Sequence, residues 1–131
     1  MSTPVPDGKH PIPIGRLKKR ASFLRVRKGN AWRSGALVLQ ARRRPCGCDV
    51  QKNAARFGFT ATKRLGPAVI RNRARRRLKE TVRLAAPARA RPGYDYVVIA
   101  RQGALTRSFA QLQNDLCRAL EHVHEDRSAR A

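Results

Sequence analysis

The sequence predicts a small single-domain α+β sandwich, with helices packed on a mixed sheet in αββ(β)αβα order. Helical apolar spacing recurs in three stretches, and between them lie shorter runs that alternate or are rich in β-branched residues. At 131 residues, 41% of them hydrophobic, the chain can build one core and has little room for a second.

The elements follow in order. Residues 1–15 hold Pro4, Pro6, Pro11 and Pro13, which fix the chain extended and remove donors, so they read as a loose arm. The domain then spans 16–124, with 125–131 as a flexible tail. From Arg16 to Lys28, Leu17, Ala21, Leu24 and Lys28 share one side of a short amphipathic helix, with Phe23 and Val26 beside them. Gly29-Asn30 stops it. Ala36 to Ala41 reads as a largely buried strand, and 42–55, with Pro45 and Gly47 among charges, as a loop. Arg56 to Lys63 alternates: Phe57, Phe59 and Ala61 face the core, while Gly58, Thr60 and Thr62 make a small, polar opposite face. Gly66-Pro67 opens a helix, with Pro67 in the first turn, where its missing N–H costs nothing. Its apolar stripe is Ile70, Ala74, Leu78, Val82 and Ala85, and Pro87 is expected to end it. Tyr94 to Ala100 is a strand by its β-branched and aromatic content. Phe109, Leu112, Leu116, Leu120 and Val123 define a closing helix capped by Thr106 or Ser108.

Charge decides the class of partner. Lys and Arg number 30 against 8 Asp and Glu, a net +22, and between Gly8 and Gly93 the acidic residues are Asp49 and Glu80. Such a field favours a polyanion without saying which one. A membrane surface fits poorly: no apolar run approaches the ~18 residues of a span, and the one Trp that could anchor a basic amphipathic helix lies outside the most basic segment. The N-terminal stretch lacks a signal-peptide core, and Cys46, Cys48 and Cys117 make neither a disulfide framework nor a four-ligand zinc site, so a reducing, cytoplasmic setting is expected.

The informative stretch is 63–83, KRLGPAVIRNRARRRLKETVR, with nine cationic residues against Glu80. At ~100° per residue its apolar stripe centres on Leu78, and Asn72, Arg73, Arg75, Arg76, Lys79 and Arg83 spread over the other side. Like charges so placed repel by a few tenths of a kcal/mol per pair, a cost that phosphates would remove. Arginine predominates, and its planar fork suits bidentate phosphate contacts.

The run Phe57-Gly58-Phe59-Thr60-Ala61-Thr62-Lys63-Arg64, the Gly66-Pro67 turn and Arg71-Asn72-Arg73-Ala74-Arg75-Arg76-Arg77-Leu78-Lys79-Glu80 resemble the protein subunit of bacterial ribonuclease P. The resemblance extends through Leu17-Lys18-Lys19 with Phe23 and through Asp95 to Arg101, covering about residues 16–123. It implies a left-handed strand–helix–strand crossover around the basic helix, where general packing rules favour a right-handed one. It also implies an endoribonuclease whose RNA subunit, with bound Mg²⁺, removes the 5′ leader of precursor tRNA. The chain would be the non-catalytic protein subunit, bound 1:1 to that RNA.

On this sequence the resemblance implies that Arg71, Asn72, Arg73, Arg75, Arg76, Arg77 and Lys79 face the RNA subunit. A leader cleft would be lined by Phe23, Arg27, Thr60, Thr62, Lys63 and Arg64. Family members often carry a second aromatic where this chain has Arg27, which shifts leader binding toward charge. Phe23 is placed either to stack a base, worth ~1–3 kcal/mol, or to pack in the core, and Trp32 is open between core and RNA platform.

A protein active site is not expected. No carboxylate cluster could hold metals for phosphoryl displacement, His122 and His124 diverge, and Asp49 and Asp95 lack acidic neighbours. The alternative reading is a basic ribosomal or general RNA-binding protein, which shares the charge but does not need this order of motifs.

Overall fold

The computed structural model describes residues 14–43, 54–91 and 93–123. Five strands form one mixed sheet: β1 (Ile14–Arg16), β2 (Asn30–Arg33), β3 (Leu37–Arg43), β4 (Ala55–Thr60) and β5 (Tyr94–Ala100), in the order β1-β4-β5-β3-β2. β1, β4 and β5 run parallel, and β3 is antiparallel to both β5 and β2. The helices are α1 (Arg20–Arg27), α2 (Ala68–Arg89), α3 (Gly103–Thr106) and α4 (Phe109–Val123), with a 3-10 turn at Lys63–Leu65. The parallel neighbours β4 and β5 are joined through α2, as the strand–helix–strand expectation requires.

The pleat divides the sheet into two unequal faces. Leu37, Leu39 and Ala41 of β3, Ala55 and Phe57 of β4, and Tyr96, Val98 and Ala100 of β5 bury against Ala74, Leu78, Val82 and Ala86 of α2 and Leu116, Ala119, Leu120 and Val123 of α4. Phe57 stacks on Tyr96 with centroids 4.6 Å apart. The Tyr96 hydroxyl accepts from the Arg91 backbone N–H at 2.9 Å, and burial pushes its ionisation well above the usual phenol range. Opposite, Leu17, Val26 and Val97 form a smaller cluster with Phe23 and Ile99 beneath α1.

Several boundaries differ from the sequence expectation. Ile14 and Gly15, expected in the loose arm, instead pair with Ala55 and Arg56 in β1, and the rest of that expected arm, with the expected tail 125–131, lies outside the described residues. The expected order leaves room for one more strand before the basic helix without assigning residues to it, and β2 fills that place; its half-buried Trp32 stacks on His122 of α4 at 4.5 Å and packs against the core. The first helix starts at Arg20, not Arg16. Leu17 stays extended, its N–H donating to the Phe57 carbonyl at 3.0 Å, so it cannot set the helical phase. The buried side of α1 is therefore Ser22 and Val26, with Phe23 half-buried, while Ala21 and Leu24 are exposed. Pro87 lies inside α2, which continues to Arg89. Arg42 and Arg43, expected in a loop, extend β3.

Two turns explain themselves. Gly66 sits at φ 147°, a region that suits glycine, and leads into Pro67, the N-cap of α2. Ser108 caps α4 reciprocally: its hydroxyl accepts from Gln111 N–H at 3.2 Å, and Gln111 Oε1 accepts from Ser108 N–H at 3.0 Å. Phe109, expected in the core, is instead 43% exposed.

Gly58 matters for space. A Cβ built there would lie 2.4 Å from Phe23 Cζ and 3.2 Å from Leu17 Cβ, so the glycine is the seat of the Phe23 ring. Gly58→Ala is expected to cost about 1–3 kcal/mol in urea denaturation. Combined with Phe23→Leu, the loss should be clearly less than additive; additive losses would show that the ring is not what the methyl meets.

Candidate nucleic-acid interface

α2 presents its cations because its inner stripe is anchored. Ala74, Leu78, Thr81 and Val82 are buried, whereas Asn72, Arg73, Arg76, Lys79 and Arg83 are exposed. Asn72, Arg75, Arg76 and Lys79, with Val69, line one shallow depression of about 370 Å³, and Arg75 donates to Asn72 Oδ1 at 2.7 Å. The asparagine thus holds one guanidinium in place beside the others. Arg71 sits half-buried at the N-terminal end of the stripe, and its Nε is buried without a hydrogen-bond partner among the described residues.

Carboxylates engage little of this face. Among the described residues the acidic partner within α2 is Glu80, which takes Arg83 Nε at 3.0 Å; that hydrogen bond lowers the Glu80 pKa. Arg89, at the far end, pairs with Glu121 at 2.7 Å. Arg71, Arg73, Arg75, Arg76 and Lys79 have no carboxylate partner among the described residues.

Arg77, grouped by its position in the motif with the RNA-facing residues, stands apart. Its Nη1 donates to the Leu105 carbonyl at 2.7 Å and its Nη2 to the Arg107 carbonyl, and its guanidinium lies 4.9 Å from the Phe109 ring centroid. It closes the corner between α3 and α4. Arg107 is itself held by Asp115 at 2.6 Å.

Of the residues expected to line a leader cleft, Phe23 and Thr60 lie on the other face of the sheet, and the rest extend from its two ends. Phe23 lies over Gly58 in the middle, and Thr60 follows two residues on, on the same side of β4. Exposed Thr62, Lys63 and Arg64 leave the strand beyond its C-terminal end. Arg27 is exposed near the end of α1, one turn past Phe23 and toward the opposite end of β4. The direction follows from the Arg25–Asp95 ion pair, since Asp95 is opposite Arg56 at the start of β4.

Period-two reading of β4 places Arg56 on this same face as Gly58 and Thr60, a signal present in the sequence and not used. Arg56 Nε and Nη2 grip Asp95 at 2.8 Å each, while Arg25 takes the same carboxylate from α1. Asp95 is fully buried, and both arginine side chains stay about a quarter exposed, at 26% and 24%. Arg42 adds a bond to the Arg25 carbonyl at 3.1 Å.

No group of three His, Cys, Asp or Glu residues gathers among the described residues. Cys46, Cys48, Asp49 and His124 lie outside those residues. The Cys117 thiol is half-buried, and burial pushes its pKa up. No described helix is long and apolar enough to cross a membrane.

The comparisons with known proteins converge on one family, for the model described as Ribonuclease P matches residues 14–124. The chain belongs to the ribonuclease P protein family. The ribonuclease P protein component of Caulobacter vibrioides is 46% identical over 120 residues, covering 92% of this chain and 78% of that one. The component from Paramagnetospirillum magneticum is 48% identical over 111 residues, covering 84% and 83% respectively. Among solved structures, the Staphylococcus aureus RNase P protein superposes with a TM-score of 0.64 at 31% identity, over 82% of this chain and 95% of that one. The Thermotoga maritima protein shares the fold, with a TM-score of 0.67 at 24% identity over 83% and 97%. Membership makes the chain an RNA-binding protein component of the ribonucleoprotein endoribonuclease of tRNA processing.

The two classes of arginine on α2 differ in what their removal costs. Arg77→Ala is expected to destabilise by about 1.5–3 kcal/mol, the loss of charge-assisted bonds to carbonyls. Arg73→Ala should stay within about 0.5 kcal/mol of the parent. Chemical denaturation of the free proteins measures both, and equal losses would mean that Arg77 does not hold the α3–α4 corner.

Proposed function

We propose that the protein binds the catalytic RNA subunit of ribonuclease P through the outer side of α2 and holds the 5′ leader of precursor tRNA along the α1 face of the sheet. The observation that carries this is the pairing of two cationic surfaces on opposite faces of one sheet. On α2, Arg71, Asn72, Arg73, Arg75, Arg76 and Lys79 meet RNA-subunit phosphates, while Arg77 supports them by fixing the helix against α3 and α4. On the other face Phe23, Thr60, Thr62, Lys63 and Arg64 line the leader track, with Arg27 at its far end and Arg56 beside it.

The division of labour follows from residue types. Guanidinium and ammonium groups bind phosphates but do not hold the two metal ions of an in-line displacement, which need oxygen donors. Mg²⁺ would therefore be bound mainly by RNA, and the protein subunit, one per RNA, would act in the cytoplasm as a binding partner. Mature tRNA lacks the leader, so leader contacts favour precursor over product without touching the scissile bond. Such contacts tighten substrate binding, whereas an effect on metal sites would appear in the chemical step.

Reconstitution with a bacterial ribonuclease P RNA at low Mg²⁺ tests the reading: the protein should stimulate leader removal, and absence of stimulation would favour a general RNA-binding role. Arg73→Ala should weaken RNA-subunit binding and reduce the log–log salt slope by about one phosphate contact. Phe23→Leu, which keeps an apolar group over Gly58, should weaken binding of precursor tRNA several-fold more than mature tRNA, measured by titration of the holoenzyme. Equal losses for both would reduce Phe23 to packing.

A further inference from the structure

A groove between β1 and α2 is not accounted for by either surface. It encloses about 460 Å³ and is lined by Ile14, Gly15, Arg16, Phe57, Phe59, Lys79, Val82, Arg83 and Pro87. Its volume falls in the range of small-molecule sites. The floor is apolar and aromatic: Phe57 is buried, but Phe59 is only half-buried, a phenyl ring left partly uncovered beside a basic helix. The rim is cationic, with exposed Arg16 on the β1 side and exposed Lys79 and Arg83 on the α2 side. Lys79 Nζ lies 6.0 Å from the Phe59 ring centroid, at the outer limit of a cation–π contact and on a flexible stem.

The wall has one further property. Pro87 stands inside α2 and has no N–H to give the carbonyl four residues back, which is that of Arg83. Arg83 and Pro87 both line the groove.

We infer that this groove takes one unpaired, splayed-out nucleotide of the RNA subunit, its base on Phe59 and its flanking phosphates on Arg16 and Lys79. The chemistry favours a nucleotide over an apolar ligand, because an aromatic floor ringed by cations fits a flat base joined to anions. The RNA subunit is favoured over the leader because the groove opens on the α2 side of the sheet, away from Phe23, and shares Lys79 with the Asn72–Arg75–Arg76 depression. The inference rests on the proposed RNA-subunit binding by α2 and extends it from phosphate contacts to a base contact.

The test separates the two. With full-length protein and a ribonuclease P RNA, Phe59→Leu should weaken binding about fivefold or more, as lost stacking implies, at an unchanged salt slope. Thermal melting checks that this variant folds as the parent does. In parallel, p-benzoylphenylalanine at position 59 should photocrosslink to one unpaired nucleotide of the RNA subunit. An unchanged affinity for Phe59→Leu, a loss accompanied by a lower salt slope, or crosslinking to the precursor leader or to residues 1–13 of the chain itself would overturn the base contact. If Phe59→Leu binds normally while Arg73→Ala still lowers the salt slope, the base pocket fails and the α2 interface stands. If the unaltered protein does not bind the RNA subunit, both fail.

Discussion

Everything on the α2 side depends on anchoring a helix whose outer surface repels itself. Neighbouring like charges cost a few tenths of a kcal/mol per pair, and Arg71, Arg73, Arg75, Arg76 and Lys79 have no carboxylate partners among the described residues to relieve them. Against this, Leu78 and Val82 are almost fully buried, at about 1.5–3 kcal/mol each, and Ala74 and Ala86 close the gap to the sheet. The inner stripe therefore outweighs the outer repulsion before any RNA arrives. Arg77 belongs with the inner stripe in this balance: its bonds to two carbonyls tie the same helix to the α3–α4 corner.

On the other face the same problem is met differently. Arg25 and Arg56 come from α1 and β4 to one carboxylate, Asp95, which is wholly buried on the neighbouring strand. A buried carboxylate without partners would be costly, and two guanidiniums satisfy it at both oxygens. The acid that looked isolated in the sequence is thus the tether of α1, and it sets where Phe23 falls along β4. Because α1 is only eight residues long and carries one fully buried aliphatic side chain, Val26, this ionic clasp and the Gly58 seat do much of its positioning.

The fold was legible where periodicity ran long. α2 and α4 repeat their apolar positions over 22 and 15 residues, and β5 is dense in β-branched and aromatic residues, so each could be read from local pattern. β1 and β2, at three and four residues, are too short to show a period; they exist because β4 and β3 offer them backbone partners. The phase of α1 was misread because Leu17, though apolar and correctly spaced, lies in extended chain. Pro87 was read as a stop by its local chemistry, yet it sits close enough to the end of α2 that one lost hydrogen bond does not break it. Of the site, the exposure of Arg73 and Arg76 followed from their angle on the helix. The in-chain role of Arg77 did not, since it depends on carbonyls 28 and 30 residues away.

The sheet between the two surfaces gives the arrangement its functional logic. The two faces pack as separate clusters, so binding energies on them should be nearly independent. A long-range attraction set by the net charge of +22 draws in any phosphate polymer and discriminates little. Discrimination has to come from short-range features, and each face has its own: the Phe23 ring over Gly58 on one, the Phe59 floor beside Lys79 on the other. In the proposed function, charge delivers the RNA, and aromatic surface within the cationic rim decides which nucleotides stay.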